Sequence, residues 1–326
     1  MRKYFQIPEK VIRKLAKVKE VKNIRGKDIV DIIDAIEAAG HTDDLIHLQM
    51  EFSFTKNKGG LIIERPLSPF PKESDTPEKF LKRLVEREVI PSNFQSRIHW
   101  QPTLDDTIKI CGAYRDANVV FLNIVQRKFS TRKSGWGGSI VEPYADVAPV
   151  VIHFEENIFI EYRTSQLTNI KPFILDLLGY QGEIPFEKIT KVTNADANAI
   201  KATLQAIYSS EQLALPSTVG SIRLNSSKGK YDLENDAFVA ELRKFLLSHN
   251  FPADDRMDVT CHMAQFKDPI TGVELPITFD INIKSGGFKF STVVTQSAID
   301  HIVDTIVRVC YINKQQKHGE PEEVLS

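Results

Sequence analysis

The sequence predicts an α+β fold made of two mainly antiparallel sheet-plus-helix portions. Runs of alternating apolar and polar residues follow one another across short turns, as in β-hairpins. Helical patterns stand between groups of strands instead of after every strand, which disfavours a parallel βαβ sheet. The chain has 326 residues, 42% of them hydrophobic, which is enough for two cores. We therefore expect an N-terminal domain at 1–190 and a C-terminal domain at 191–326.

A small helical hairpin, residues 1–40, is predicted to lead the first domain. The first 27 residues carry ten Lys or Arg and two Glu, a net charge of +8, and Pro8 followed by Glu9 is typical of a helix start. Residues 28–51 carry seven acids and no Lys or Arg, with a helical face that ends before Gly40. Opposite charges favour packing of the two helices against each other. The alternative is that Arg13, Lys14 and Lys17 contact a polyanion.

The remaining elements follow from local signals such as Thr76 before Pro77, a typical N-cap. In the N-terminal domain we expect strands at 45–54, 61–64, 97–101, 106–113, 118–128, 140–143, 149–154 and 158–162, with helices at 76–89 and 166–178. In the C-terminal domain we expect helices at 194–207, 236–248 and 296–311, strands at 219–226, 256–266, 275–283 and 288–293, a turn at 228–230, and a frayed polar tail from Asn313.

The segment 126–138, Gln-Arg-Lys-Phe-Ser-Thr-Arg-Lys-Ser-Gly-Trp-Gly-Gly, is the strongest candidate for a binding site. It is expected to be a polar loop that follows an apolar strand. Cations can neutralise phosphates, and an aromatic ring can stack on a base. Glycines allow close approach of the backbone to a ligand. The candidate contacts are Arg127, Lys128, Arg132, Lys133 and Trp136. Two alternatives stay open, a Trp136 that anchors the loop to a core and a simple solvated hairpin tip.

Two polar sets resemble the carboxylate patterns of metal-dependent nucleases only in part. Asp280 and Lys284 lie at period two on one predicted strand, but no second acid stands beside the lysine. Asp146 and Glu161 form the other set, in which Arg163 replaces the usual lysine. Neither set fits the metal-site pattern well, and an alternating strand with a solvent-exposed face is the favoured interpretation of both.

Composition excludes several classes of protein and favours few. The net charge of −1 gives no global attraction to nucleic acid, so a polyanion site must be a local patch. No signal peptide, membrane-spanning run, P-loop, GxSxG or HExxH motif is found, and the three cysteines lack zinc-ligand spacing. We expect buried, reduced thiols, a cytoplasmic location, and neither a cofactor nor a metal.

Three functional hypotheses follow. The first is a non-catalytic subunit that binds nucleic acid through segment 126–138, with Arg13, Lys14 and Lys17 as a second patch. The second is a protein–protein adaptor of a larger cytosolic assembly or a homo-oligomer, which suits the near-neutral charge. The third is a metal-dependent nuclease. We expect no catalytic residue under the first two hypotheses.

Overall fold

The computed structural model describes residues 4–155, 157–215, 220–227, 231–251 and 255–319. The helices are α1 (Glu9–Val18), α2 (Ile29–Ala38), α3 (Thr42–Glu51), α4 (Pro77–Glu86), α5 (Ile170–Leu178), α6 (Asn194–Thr203), α7 (Ala237–Ser248), α8 (Gln296–Val307) and α9 (Asn313–Gly319). The strands are β1 (Gly60–Pro66), β2 (Lys109–Asp116), β3 (Val119–Lys133), β4 (Ser139–His153), β5 (Phe159–Tyr162), β6 (Phe186–Lys188), β7 (Ile207–Ala214), β8 (Ser221–Asn225), β9 (Arg256–Lys267), β10 (Glu274–Asn282) and β11 (Phe288–Phe290). The α+β class is confirmed.

The chain divides into two compact units. Residues 61–188 form the central unit, and residues 1–60 together with 189–326 form the terminal unit. The central unit ends at Lys188, close to the division between residues 190 and 191 that is expected from the sequence. The first 60 residues belong to the same unit as the C-terminal part.

The central unit contains an antiparallel sheet in the order β2-β3-β4-β5-β1-β6. One face carries the core, which α4 and α5 cover with Phe80, Leu84, Ile174 and Leu177. Local signals place both helices: Thr76 Oγ1 accepts a hydrogen bond from the Lys79 amide, and the left-handed Gly179 ends α5. The predicted strand at 97–101 is wrong, because it forms only an isolated bridge between His99 and Gly112.

The terminal unit contains a second antiparallel sheet in the order β11-β10-β9-β7-β8. The expected helical hairpin is confirmed, since the apolar faces of α1 and α2 pack in one core with Val273 and Leu275 at the start of β10. Asp28 caps α2, because its side chain accepts hydrogen bonds from the amides of Val30 and Asp31. Helix α8 buries a broad apolar face through Ile299, Ile302 and Ile306.

The predicted strand at 45–54 is wrong, because this segment forms helix α3. Its apolar residues fit both the two-residue period of a strand and the period of a helix. The strand period groups Ile46 with Leu48, whereas helical spacing groups Leu45 with Leu48 and Phe52. The structure buries Leu45, Leu48 and Phe52 and leaves Ile46 51% exposed. The core formed with α1 and α2 therefore selects the helical period.

Other differences concern element ends and short strands. Strands β6 and β7 were not predicted, and the expected strands at 140–143 and 149–154 are one strand, β4. Helix α8 continues through a π-helical turn, Arg308–Ile312, into α9, so the tail predicted to fray is helical as far as Gly319. The expected turn at 228–230 and residue 156 lie outside the described residues. Among the described helices, none is long and apolar enough to cross a bilayer.

Candidate nucleic-acid interface

Segment 126–138 is mostly strand and forms half of a β-hairpin. Strands β3 and β4 pair without interruption from Val119 with His153 to Lys133 with Ser139. Strand β2 accompanies β3 only as far as Val125, and β5 accompanies β4 only from Val150 onward. Residues 126–146, which we call the arm, therefore extend as a two-stranded ribbon beyond the sheet of the central unit. Seven strand steps from Gln126 to Lys133 give it a length of about 24 Å.

The tip of the arm is a short turn that presents Trp136. The Ser134 amide donates to the Gly138 carbonyl at 2.8 Å, and the Gly138 amide donates to Ser134 Oγ at 3.0 Å. Gly137 has a φ of +81°, a left-handed conformation that favours glycine. Trp136 is 100% exposed. The sequence-based alternative of a tryptophan that anchors this loop to a core is therefore wrong.

Alternation along the two strands gives the arm a charged face and an apolar face, and the apolar face also holds Arg127 at its base and Lys133 near its tip. Cross-strand pairs Phe129–Pro143 and Thr131–Val141 form the apolar face, where Phe129 is 57% and Val141 58% exposed. The guanidinium carbon of Arg127 lies 5.4 Å from the Phe129 ring centroid, a cation–π contact at the base of this face.

The charged face carries the pairs Lys128–Tyr144, Ser130–Glu142 and Arg132–Ile140. Lys128 Nζ lies 2.6 Å from an Asp146 carboxylate oxygen, and Arg132 pairs with Glu142. Arg127 also has a carboxylate partner, Asp106, which lies outside the arm.

These ion pairs leave the cations able to bind a phosphate group. The Arg132–Glu142 pair is largely exposed, and pairs of this kind contribute about 0 to 1 kcal/mol. A phosphate group can replace such a carboxylate partner at small cost. The arm contains four cations and two acids, so it keeps a net charge of +2 within a chain of net charge −1.

The second predicted patch is only partly available. Arg13 pairs with Glu9 on the same helix at 2.7 Å. Lys14 donates to the Glu274 main-chain carbonyl at 2.6 Å, which attaches α1 to the start of β10. Lys17 is exposed. Lys14 is thus held by the main chain, whereas Arg13 and Lys17, four residues apart, lie on the same side of α1.

The structure keeps the two acids of the Asp146 and Glu161 set apart. Glu161 pairs in register with Val151, five residues along β4 from Asp146, so the two acids are separated by about 17 Å along the strand direction. Asp280 accepts a hydrogen bond from Thr260 Oγ1 at 2.7 Å. Neither set belongs to the one group of metal-ligating side chains found among the described residues.

The cysteines carry no site. All three are free, and Cys261 and Cys310 are buried. Burial raises the pKa of Cys111 to about 11 and that of Cys310 to about 12, and it also raises the pKa of Cys261. A thiol with a raised pKa is a poor nucleophile and a poor metal ligand at neutral pH. The expectation of buried thiols is confirmed for Cys261 and Cys310, and Cys111 is partly exposed.

Sequence reasoning predicted only residues 140–143 of the return strand of the arm and missed its pairing with β3. Ile140, Val141, Pro143 and Tyr144 contribute much of its exposed apolar surface. Alternation of Val141, Pro143 and Ala145 with polar or charged neighbours at 142 and 146 was the available signal for a strand that pairs back along β3. No protein-family model and no curated protein matches this chain. The functional assignment therefore depends on the geometry of the arm.

Proposed function

We propose that this chain is a non-catalytic nucleic-acid-binding subunit whose arm contacts the sugar–phosphate backbone and stacks Trp136 on a base. The observation that carries this proposal is the full exposure of Trp136 at the tip of a ribbon whose last residues include Arg132 and Lys133. A fully exposed indole contributes no burial to the free protein. Stacking of a base on an aromatic side chain is worth about 1 to 3 kcal/mol, so a nucleic-acid partner gives this residue a role.

The dimensions of the arm support contact with a duplex. Two paired strands lie about 5 Å apart. The major groove of B-DNA, about 12 Å wide, admits a two-stranded β-ribbon. In such a complex the arm would lie along the groove with its cations near both phosphate backbones, and Trp136 would reach a base step or an unpaired base. Sequence-independent contacts of this kind need no base code.

Fluorescence anisotropy with labelled single- and double-stranded oligonucleotides of DNA and RNA tests the proposal. The variant Arg132→Ala/Lys133→Ala should weaken binding about tenfold or more, because two phosphate contacts are lost. The matched control is Lys79→Ala/Lys82→Ala, which removes the same charge from exposed positions on α4 of the same unit. Its affinity should stay within about twofold of wild type. Equal losses in both variants, or no wild-type binding in low salt, would refute a role for the arm.

A second candidate function is a protein–protein adaptor, and the apolar face of the arm favours it. Contiguous exposed apolar surface is typical of interaction sites, and the unpaired outer edges of the ribbon can accept a strand from another chain. Analytical ultracentrifugation of wild type and Phe129→Ser/Val141→Ser distinguishes this candidate. The adaptor proposal expects a discrete assembly, insensitive to salt, that this variant dissociates. A monomer at all concentrations without nucleic-acid affinity would leave neither candidate supported.

The proposal includes a cytoplasmic location and membership of a larger complex. Three unpaired cysteines suit a reducing compartment, where disulfides are rare. The small net charge of the arm suits a subunit that adds a local contact to an assembly. Measurement of the redox state of the thiols and of the native mass in cell extracts tests both points.

A further inference from the structure

A cluster of metal-ligating side chains lies in the terminal unit. His47 and Glu51 stand four residues apart on α3, so they project from the same face of that helix. Asp268 begins the turn between β9 and β10 and is buried. One ligand atom from each of the three residues lies within 4.8 Å of the other two. Among the described residues, this is the one group of at least three such side chains that meets so closely.

The Asp268 carboxylate is held in place by its own turn. Its Oδ1 atom accepts hydrogen bonds from the amides of Ile270 and Thr271 and from Thr271 Oγ1, the last two at 2.7 Å. Its Oδ2 atom faces His47 Nε2 at 3.1 Å.

Glu51 is fixed in the same way by α8. Its Oε2 atom accepts hydrogen bonds from the Ser297 amide at 2.9 Å and from the Ser297 hydroxyl at 2.7 Å. Each carboxylate thus has one oxygen oriented by donors of the protein. Metal sites are usually supported by such outer hydrogen bonds, which hold the ligands in place and reduce the cost of ordering them.

We propose that His47, Glu51 and Asp268 bind one divalent transition-metal ion of the zinc or manganese class. One imidazole nitrogen and two carboxylate oxygens suit these ions better than calcium or magnesium, which prefer oxygen ligands alone. With metal–ligand bonds of about 2.1 Å, neighbouring ligand atoms lie about 3.0 to 3.4 Å apart in octahedral or tetrahedral geometry. His47 Nε2 and Asp268 Oδ2, which share a hydrogen bond, lie 3.1 Å apart, so a metal ion that replaces the shared proton finds both atoms at this spacing.

The bound ion would join three elements that are distant in sequence. His47 and Glu51 lie on α3, Asp268 on the β9–β10 turn, and Glu51 also contacts the first turn of α8. Three protein ligands leave at least one coordination position for water or another ligand. Because the unfolded chain lacks this arrangement, binding would stabilise the folded terminal unit in proportion to the logarithm of metal concentration.

Isothermal titration calorimetry of the full chain with Zn²⁺ at pH 7.5, repeated with Mn²⁺, tests the proposal. Wild type should bind one ion per chain with saturation. His47→Gln and Glu51→Gln should each weaken binding about tenfold or more. Gln at position 51 retains a carbonyl oxygen for Ser297, so this variant keeps the contact to α8. The matched control is His41→Gln, which removes the histidine at the N-terminus of the same helix and leaves the cluster intact.

Thermal melts provide an independent readout. Added Zn²⁺ should raise the melting temperature of wild type and His41→Gln, and at the same concentration should raise that of His47→Gln clearly less. Without metal, His41→Gln and His47→Gln should melt within a few degrees of wild type. The proposal is overturned if wild type shows no saturable binding of either ion, or if His47→Gln and Glu51→Gln bind as tightly as wild type.

Discussion

Replacing Glu161 with Gln should destabilise the central unit by about 3 to 5 kcal/mol. Glu161 lies on β5 with none of its surface exposed. Its carboxylate accepts hydrogen bonds from Arg163 Nη2 at 3.1 Å and Nε at 3.3 Å, and it lies 2.5 Å from His153 Nε2. Arg163 is 2% exposed. The magnitude follows because the variant keeps the shape of the side chain but leaves the buried guanidinium without this counter-charge.

Urea denaturation followed by circular dichroism measures this free energy. The matched control is Glu86→Gln, whose partner Lys82 is exposed and which should change stability by less than about 0.5 kcal/mol. A loss below about 1 kcal/mol for Glu161→Gln would contradict this role of Glu161, because the buried pair would then contribute no more than a surface pair.

The same carboxylate predicts a pH dependence. Burial by itself would raise the pKa of Glu161, but the charge of Arg163 and the hydrogen bond and charge of His153 lower it below its usual value. Because the pKa of Glu161 is lower in the folded than in the unfolded state, its ionised carboxylate stabilises the fold at any pH above the unfolded-state pKa. This contribution is lost as the pH falls through the folded-state pKa. The stability difference between wild type and Glu161→Gln should therefore be largest near neutrality and shrink in acid. A difference that grows in acid would contradict this sign.

Three further predictions concern the arm and one helix cap. Trp136→Ala should weaken nucleic-acid binding by about 1 to 3 kcal/mol, yet change the free energy of unfolding by less than about 0.5 kcal/mol, because the ring is fully exposed; a large loss of stability in urea would contradict the geometry. Phe129→Ser/Val141→Ser should leave the melting temperature unchanged and reduce binding of a hydrophobic dye; unaltered dye binding would contradict the exposed apolar face. Asp28→Ala should cost about 1 kcal/mol in urea denaturation through loss of the α2 cap, whereas Asp34→Ala in the middle of α2 should cost less; equal losses would contradict the capping role.

Local signals predicted much of the fold. The cap at Thr76 and the left-handed Gly179 act within one turn of a helix, so their effect is visible in a short stretch of sequence. Helix α3 could not be assigned in this way, because its residues fit two periods and only contact with α1 and α2 selects one. Strand β7 was missed since it buries polar residues, including Glu211, where an alternating pattern would show apolar ones.

The candidate site was predictable in composition but not in shape. The four cations and Trp136 are visible in one segment, whereas their arrangement on a ribbon depends on pairing with residues 139–146. The carboxylate partners Asp106 and Glu142 were not foreseen, because ion pairs across strands depend on register. The cluster of His47 and Asp268 joins residues that are 221 positions apart, so no local pattern indicates it.

The most direct test of a nucleic-acid-binding arm is the salt dependence of binding to a labelled 30-base-pair DNA duplex. If all four cations of the arm contact phosphates, the logarithm of affinity should fall with the logarithm of salt concentration with a slope of about −3.6. Affinity would then drop about 150-fold between 50 and 200 mM salt, and Arg132→Ala/Lys133→Ala should make the slope about 1.8 less steep. No binding at 50 mM salt, or a slope that the double variant leaves unchanged, would contradict a nucleic-acid-binding arm.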